Sequence, residues 1–296
     1  MEFLAQQTLN GVVLGSVYAL YGVGFGLVLA NLKIFHVAHA AVFTWGAIFS
    51  WHLTAHLNLP LFVTLPITAM LAGLMNVMLY FLVIRHLLSK KNTQLAAYIS
   101  SLGALIFFNE LASITLGGVV VRIPRSAYPV FPVTIGPLHF NTLDIAIVIL
   151  ALLLIAALHW TIHRTQFGRE SRAVAFNRDL AALLGTNVDQ VSCGVFFLSG
   201  ALAGIAATLV AMAFNVISYL LGDNYLLIAI AAMVIGGFGS VIGILLGGLF
   251  IGVSSTYVTG FIGGSYRDLV VFLLLLVFLV VRPSGLISTS NDLYRV

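Results

Sequence analysis

The sequence predicts an all-α polytopic membrane protein with about eight or nine transmembrane helices. Its 296 residues are 61% hydrophobic and only 7% charged, whereas a soluble domain carries about 25% charged residues. Apolar stretches of about 20 residues recur along the chain, which is the length that crosses a hydrocarbon core of roughly 30 Å. The stretches are continuous rather than alternating, and this pattern favours helices over the strands of a membrane barrel.

Nine predicted spans follow one another along the chain. They lie near 8–30, 34–54, 60–84, 95–117, 142–163, 191–214, 226–238, 241–262 and 268–282. A polar turn over 89–92 follows the third span, and segment 118–141 holds four of the seven prolines, which predicts an irregular loop. Segment 164–190 is the only long polar stretch. The whole chain, 1–296, is therefore predicted to be a single transmembrane domain.

The distribution of Lys and Arg predicts the side of the membrane on which each loop lies. With the amino terminus outside and nine crossings, ten of the thirteen basic residues are cytoplasmic, which accounts for the net charge of +4 without a nucleic-acid partner. The ten are Lys33, Arg85, Lys90, Lys91, Arg164, Arg169, Arg172, Arg178, Arg282 and Arg295; the outer three are Arg122, Arg125 and Arg267. This orientation makes 118–141 periplasmic and the carboxyl terminus cytoplasmic.

The seventh span is too short to cross the membrane as a straight helix. Its residues 226–238 reach only about 20 Å at about 1.5 Å per residue. A broken or half helix near 226–240 is tolerated only where it is buried in protein or lines an aqueous cavity, so the segment points to the transport path. If it re-enters instead of crossing, the carboxyl terminus moves outside, and the charge count does not decide between the two. The candidate path residues here are Gly236, Gly237, Gly239 and Ser240.

Three ionisable residues in the predicted spans are further candidates for the path. Glu110 is the one carboxylate well inside a span, where a charge costs on the order of 2.5–3.5 kcal/mol. It is expected to face protein or water, and two interpretations stay open. Glu110 binds a substrate ammonium or polarises a helix contact near the outer mouth, or it pairs with Arg122 or Arg125 or is protonated. His36 and His39 lie three residues apart, on one face of the second span, and either can hydrogen-bond across helices.

No motif for an energy source or a reaction occurs in the sequence. A phosphate loop and a nucleophile elbow are both absent. The pairs His52/His56 and His159/His163 have the spacing of zinc-protease ligands, but the glutamate of that motif and a third ligand are missing. The chain is therefore predicted to be a transport subunit with no catalytic or metal site and no cofactor of its own.

The polar segment 164–190 is predicted to be a cytoplasmic docking loop. Residues 173–184 are good helix formers, and Gly185 can cap the helix. Its apolar face consists of Val174, Leu180, Leu183 and Leu184. An amphipathic helix outside the membrane suits a groove in a partner protein, while a helix lying on anionic lipid is the alternative.

Within this loop, Asp179 through Gly185 reads D-L-A-A-L-L-G. The run resembles the ATPase-contacting coupling loop in the permease family of branched-chain amino-acid ABC importers, of the shorter permease type. Similar runs follow the family's order at 10–20, 34–39, 101–117, 198–204, 236–240 and 282–286. The resemblance implies an ATPase-coupling role for Arg169, Arg172, Asp179, Ala181, Ala182 and Gly185.

The resemblance also implies partners and a location. These are a second homologous permease chain, two cytoplasmic ATPase subunits that carry ATP and Mg²⁺, a periplasmic solute-binding protein and the inner membrane of a bacterium. The implied cargo is a small solute, either a branched-chain or another amino acid. The Gly and the acidic residue that the family usually places after its second-helix histidine are replaced by Ala40 and Ala41, which leaves urea and short amides as alternatives. A stand-alone channel or secondary transporter usually has several ionisable residues in mid-membrane, whereas only Glu110 qualifies here.

Overall fold

The computed structural model describes residues 1–87, 93–136 and 138–287, and eleven α-helices and one β-hairpin lie in these ranges. The predicted turn 89–92, with Lys90 and Lys91, and Pro137 and Arg295 lie outside them. The helices are α1 (Glu2–Leu32), α2 (His39–Ala55), α3 (Leu61–Leu79), α4 (Thr93–Leu116), α5 (Thr142–Arg164), α6 (Gln166–Phe176), α7 (Arg178–Leu183), α8 (Val188–Phe214), α9 (Leu221–Gly236), α10 (Val241–Phe261) and α11 (Arg267–Val281). Strands β1 (Pro132–Ile135) and β2 (Leu138–Asn141) pair antiparallel, with Pro132 opposite Asn141.

The predicted fold class is confirmed. Seven helices of the described part are long and apolar enough to cross a membrane. Six of them correspond to α1, α3, α4, α5, α8 and α10. The seventh consists of the short 3-10 turn Gly264–Tyr266 and α11, which follows it directly. The two shorter helices, α2 with 17 residues and α9 with 16, occupy the positions of the other two predicted spans.

The chain divides into two compact units. One consists of Met1–Gly26, Val130–Ala156 and Leu227–Val296, and the other of Leu27–Pro129 and Ala157–Leu226. In the first unit, glycines bring α1 and α10 into backbone contact: a Cβ on Gly15 would lie 2.7 Å from the Cα of Leu249, and one on Gly248 would lie 2.6 Å from the amide nitrogen of Ala19. Glycines four residues apart line one helix face, so the backbones can approach closely.

In the second unit, α8 lies at the centre of the packing. A Cβ on Gly200 would lie 2.6 Å from the carbonyl oxygen of Ala72 in α3, and one on Gly46 of α2 would lie 2.6 Å from the Cα of Gly204. Helices α2, α3 and α8 are therefore in contact through small residues. This packing surrounds most of the polar side chains that are described below.

Three predicted boundaries are wrong. Helix α2 begins at His39 and not near 34, because residues 33–36 leave helical geometry after Lys33, whose φ is 55°. Helix α9 begins at Leu221, five residues before the predicted start, and is about 24 Å long. The predicted helix 173–184 is two helices, since the extended backbone of Asn177 (φ −153°, ψ 112°) separates α6 from α7.

Candidate translocation path and coupling loop

His36 lies in the buried connection between α1 and α2 and not on the face of a helix. Its Nε2 is 3.0 Å from Oδ1 of Asn76, and Nδ2 of Asn76 donates a 2.8 Å hydrogen bond to the carbonyl oxygen of Phe196. Since this bond turns Oδ1 of the amide toward the ring, Nε2 of His36 carries a proton. All three residues are at most 1% exposed. The Asn76 amide thus joins the connection, α3 and α8.

His39 is the first residue of α2 and is also fully buried. Its Nδ1 lies 3.4 Å from the hydroxyl oxygen of Ser199 in α8, and its ring centroid lies 6.4 Å from that of His36. Across the described ranges, no three His, Cys, Asp or Glu side chains come together as metal ligands would. Both histidines make buried hydrogen bonds to a neighbouring helix, and their role in the path stays a prediction.

Glu110 and its neighbour Asn109 occupy different environments on α4. Glu110 is exposed and makes no ion pair with any residue that the structure describes, so the suggested pairs with Arg122 and Arg125 are not formed. Asn109 is only 7% exposed, and its Nδ2 donates a 2.7 Å hydrogen bond to Oδ2 of Asp223 in the first turn of α9. The partly buried carboxylate in this region is thus Asp223, which lies three residues before the predicted seventh span and is not among the predicted path residues.

The glycine-rich turn 236–240 joins α9 to α10. Gly237 and Gly239 have φ angles of 109° and 81°, which favour glycine, and the Ser240 hydroxyl accepts a hydrogen bond from the amide of Gly243. A Cβ on Gly236 would lie 2.3 Å from the carbonyl oxygen of Gly243. Close packing and turn geometry therefore account for these residues, and their place in the path stays a prediction.

The polar loop holds its two short helices by side-chain caps. Thr165 caps α6 by accepting from the amide of Gly168, and Asn177 caps α7 by accepting from the amide of Leu180 at 2.9 Å. Gly185 ends α7 as predicted, with a φ of 89° and its amide donating to the carbonyl of Ala182. Each end of the loop helices is thus fixed by a local hydrogen bond.

The predicted apolar face is only partly buried. Val174 is enclosed with Ala181 and Val191, whereas Leu183 and Leu184 are 85% and 78% exposed. Of the six residues to which the resemblance gives a coupling role, only Ala181 is buried. The five exposed ones are Arg169, Arg172, Asp179, Ala182 and Gly185. The Arg172 guanidinium also donates to the carbonyl of Ile162, the end of α5.

Asp189, in the first turn of α8, gathers donors from two other parts of the second unit. It accepts a 2.9 Å hydrogen bond from the Tyr80 hydroxyl and bonds of 2.9 and 3.2 Å from the Arg85 guanidinium. A guanidinium nitrogen of Arg178, the first residue of α7, lies 3.8 Å away. No local sequence pattern indicates this cluster, because Tyr80 and Asp189 are 109 residues apart in the chain.

A π-turn over Tyr80–Ile84 explains how two donors from one helix reach the same carboxylate. The amide of Arg85 bonds to the carbonyl of Tyr80 at 2.8 Å, five residues back. In an α-helix the residue stacked over Tyr80 would be the fourth, whereas the π-turn places the fifth there. Tyr80 and Arg85 therefore point to the same side and meet Asp189 together.

The long apolar helices, with buried hydrogen bonds between their polar side chains, define a polytopic membrane protein. The chain belongs to the family described as "Branched-chain amino acid transport system / permease component", which matches residues 7–279. This family match confirms the resemblance that the sequence carries.

Several relatives match nearly the whole chain. The high-affinity branched-chain amino acid transport system permease protein LivH of Salmonella typhimurium is 30% identical, over 97% of this chain and 96% of the relative. The corresponding protein BraD of Pseudomonas aeruginosa is 28% identical, over 96% and 95%. The solved structure of PsaBC from Streptococcus pneumoniae in complex with Fab overlays with a TM-score of 0.50 at 14% identity, covering 96% of this chain and 93% of that chain. This last likeness shows the fold alone.

Proposed function

We propose that this chain is the membrane-spanning subunit of an ABC importer and forms the path for a small solute, with a branched-chain or another amino acid as the cargo. Partner subunits supply ATP hydrolysis. The observation that carries the proposal is the exposed apolar face of α7. This helix lies in the loop that resembles the ATPase-contacting coupling loop of the permease family. Leu183 and Leu184 are more than three-quarters exposed although the cap of Asn177 fixes their helix.

An apolar face held in place outside the membrane suits a groove on another protein. The proposed partner there is an ATPase subunit, and a pair of them, a second homologous permease and an external solute-binding protein complete the importer. The same loop exposes a positive charge at Arg169 and a negative charge at Asp179. Exposed charges of both signs favour a protein partner over an anionic lipid surface, which would repel the carboxylate.

The test is to co-express the chain with the ATPase, second permease and binding protein of its own operon and to measure ATP-driven uptake. Replacing Leu183 and Leu184 by Glu should abolish uptake and co-purification of the ATPase while the permease stays in the membrane. Leu57→Glu is the matched control, since Leu57 is 59% exposed beyond the end of α2. Unchanged uptake in the double variant would refute docking through α7. Competition of leucine uptake by urea or acetamide would point to the alternative cargo.

The proposed location is the bacterial inner membrane, with the amino terminus outside and the carboxyl terminus cytoplasmic. Cys193 is the single cysteine of the chain, so a Cys193→Ser background allows single-cysteine mapping. A cysteine at Leu183 should react with a membrane-impermeant maleimide only after the cells are opened. One at Val119, which is 59% exposed beyond α4, should react in intact cells. The opposite pattern would reverse the orientation.

A further inference from the structure

The pair Asn109 and Asp223 leaves two enclosed oxygen atoms without a donor. One hydrogen bond, 2.7 Å long, joins Nδ2 of Asn109 to Oδ2 of Asp223. Oδ1 of Asn109 and Oδ1 of Asp223 are both shut off from solvent and accept no hydrogen bond from any residue that the structure describes. Buried acceptors are seldom left unpaired, and each such atom calls for an ion, a water or a ligand.

The donors around the pair are engaged elsewhere. The Thr44 hydroxyl accepts from the amide of Gly222 at 2.9 Å and donates to the carbonyl of Ala40, and the indole nitrogen of Trp45 donates to the carbonyl of Phe108 at 3.0 Å. Both ion pairs formed within the described ranges go to Asp189, and Asp223 has no cation within pairing distance there. The missing donor must therefore come from outside these residues.

The position of the Asp223 carboxylate is fixed by the close packing of the neighbouring backbone at Gly222. A Cβ on Gly222 would lie 1.9 Å from the carbonyl oxygen of Ala40, so the start of α9 lies directly against α2. Asp223 is also in the first turn of α9, and its Oδ2 is held by the hydrogen bond from Asn109. The two open oxygens are thus fixed in position before any ligand arrives.

We propose that Asp223 and Asn109 bind the primary ammonium group of the transported solute. This inference rests on the proposed function, which names an amino acid as the cargo, and adds to it the residues that hold the ammonium group of that cargo. An ammonium has three N–H donors and one positive charge, which matches one carboxylate oxygen and one amide oxygen. Ca²⁺ or Mg²⁺ would need about six or more oxygen ligands, and the pair offers two. The proposal gives the amine-binding role to Asp223 and to Asn109, the neighbour of Glu110 in the sequence, while the role suggested for Glu110 itself stays a prediction.

The direct test is carbodiimide labelling of the intact importer in lipid nanodiscs. Dicyclohexylcarbodiimide partitions into apolar surroundings and modifies carboxyl groups there, and mass spectrometry of peptides locates the adduct. Leucine and 3-methylbutylamine, which carry the ammonium, should slow labelling of Asp223. The analogue 4-methylpentanoate has the same side chain and carboxylate but no amine, and should not. Equal protection by all three compounds, or by none, would overturn the proposal.

A transport measurement keeps the proposal testable if Asp223 proves unreactive. Asp223→Asn should lower ATP-driven leucine uptake about tenfold or more, the effect of losing a charge-assisted hydrogen bond, with an unchanged melting temperature. Asp223→Glu should retain most of the uptake. Asp268→Asn is the matched control, because Asp268 is also in the first turn of a helix and is exposed. Normal uptake in Asp223→Asn would overturn the ammonium site alone.

Two other results have distinct meanings. If Asp223 resists labelling with or without solute but reacts once the second permease is stripped away, a basic residue of that chain is the donor and the proposal is wrong. If the wild-type importer takes up no amino acid at all, the proposed function fails. The amine-dependent protection of Asp223 would still be measurable in that case, so the two failures are distinguishable.

Discussion

The Tyr80 hydroxyl lies 2.9 Å from Oδ1 of Asp189, so a π-turn at the end of α3 is joined directly to the first turn of α8. The same carboxylate receives Arg85 and lies 3.8 Å from Arg178 of α7. In the proposed importer, a displacement of α7 by the ATPase would therefore act on Asp189, a residue of α8 that is hydrogen-bonded to the end of α3. The coupling loop is therefore connected to the end of α3 through Asp189, in addition to its covalent links to α5 and α8.

Tyr80→Phe removes one donor to Asp189 without changing the ring packing. Tyr80 is buried, whereas the charged pair Arg85 and Asp189 is about half exposed, and exposed pairs contribute only about 0–1 kcal/mol. We expect a loss of about 1 kcal/mol in unfolding free energy, and a larger fall in uptake than in ATPase activity. The measurement compares both rates in the same proteoliposomes. Equal falls in the two rates would count against a connecting role for the pair.

Asn76→Leu tests the buried amide that joins His36 to Phe196. The substitution leaves the Nε2 proton of His36 without its acceptor, and the Phe196 carbonyl loses the donor that it has in addition to its helical hydrogen bond, in a site that is fully enclosed. Each unpaired buried group costs about 1–3 kcal/mol, so the melting temperature should fall clearly. Asn224→Ala, at an exposed position of α9, is the control and should stay within about 0.5 kcal/mol of wild type. An Asn76→Leu variant as stable as the control would contradict the bridging role.

The membrane-spanning helices could be predicted from the sequence, whereas the polar contacts between them could not. Hydropathy over a window finds α1, α3 and α8, but it averages away the single amides Asn76 and Asn109, which lie inside α3 and α4. Asp223 was missed because the apolar window began after it, although an Asp in a first helical turn is a recognisable signal. The break at Asn177 carried such a signal too, since Asn is a preferred N-cap. The π-turn at Tyr80 has no sequence pattern that hydrophobic periodicity detects.

Gly200 and Gly103 form a matched pair of helical glycines. A Cβ on Gly200 would lie 2.6 Å from the carbonyl oxygen of Ala72, whereas one on Gly103 would meet nothing within 4 Å. Gly200→Ala should therefore destabilise the chain by about 1–3 kcal/mol through overpacking. Gly103→Ala should be neutral or stabilise by about 0.5–1 kcal/mol through its helix propensity. Thermal unfolding of both variants in the same detergent measures the difference, and the reverse order would contradict the α3–α8 packing.

The last prediction concerns the cap that fixes α7. Asn177 accepts the amide proton of Leu180 and separates the two loop helices by its extended backbone. Asn177→Ala should loosen α7 at a cost of about 1 kcal/mol, too little to unfold a membrane domain but enough to leave Leu183 and Leu184 poorly positioned. We therefore expect reduced uptake with normal amounts of permease in the membrane. Asn177→Asp preserves the cap and should retain uptake. If the Asn177→Ala and Asn177→Asp variants transport equally well, the orientation of α7 does not limit coupling.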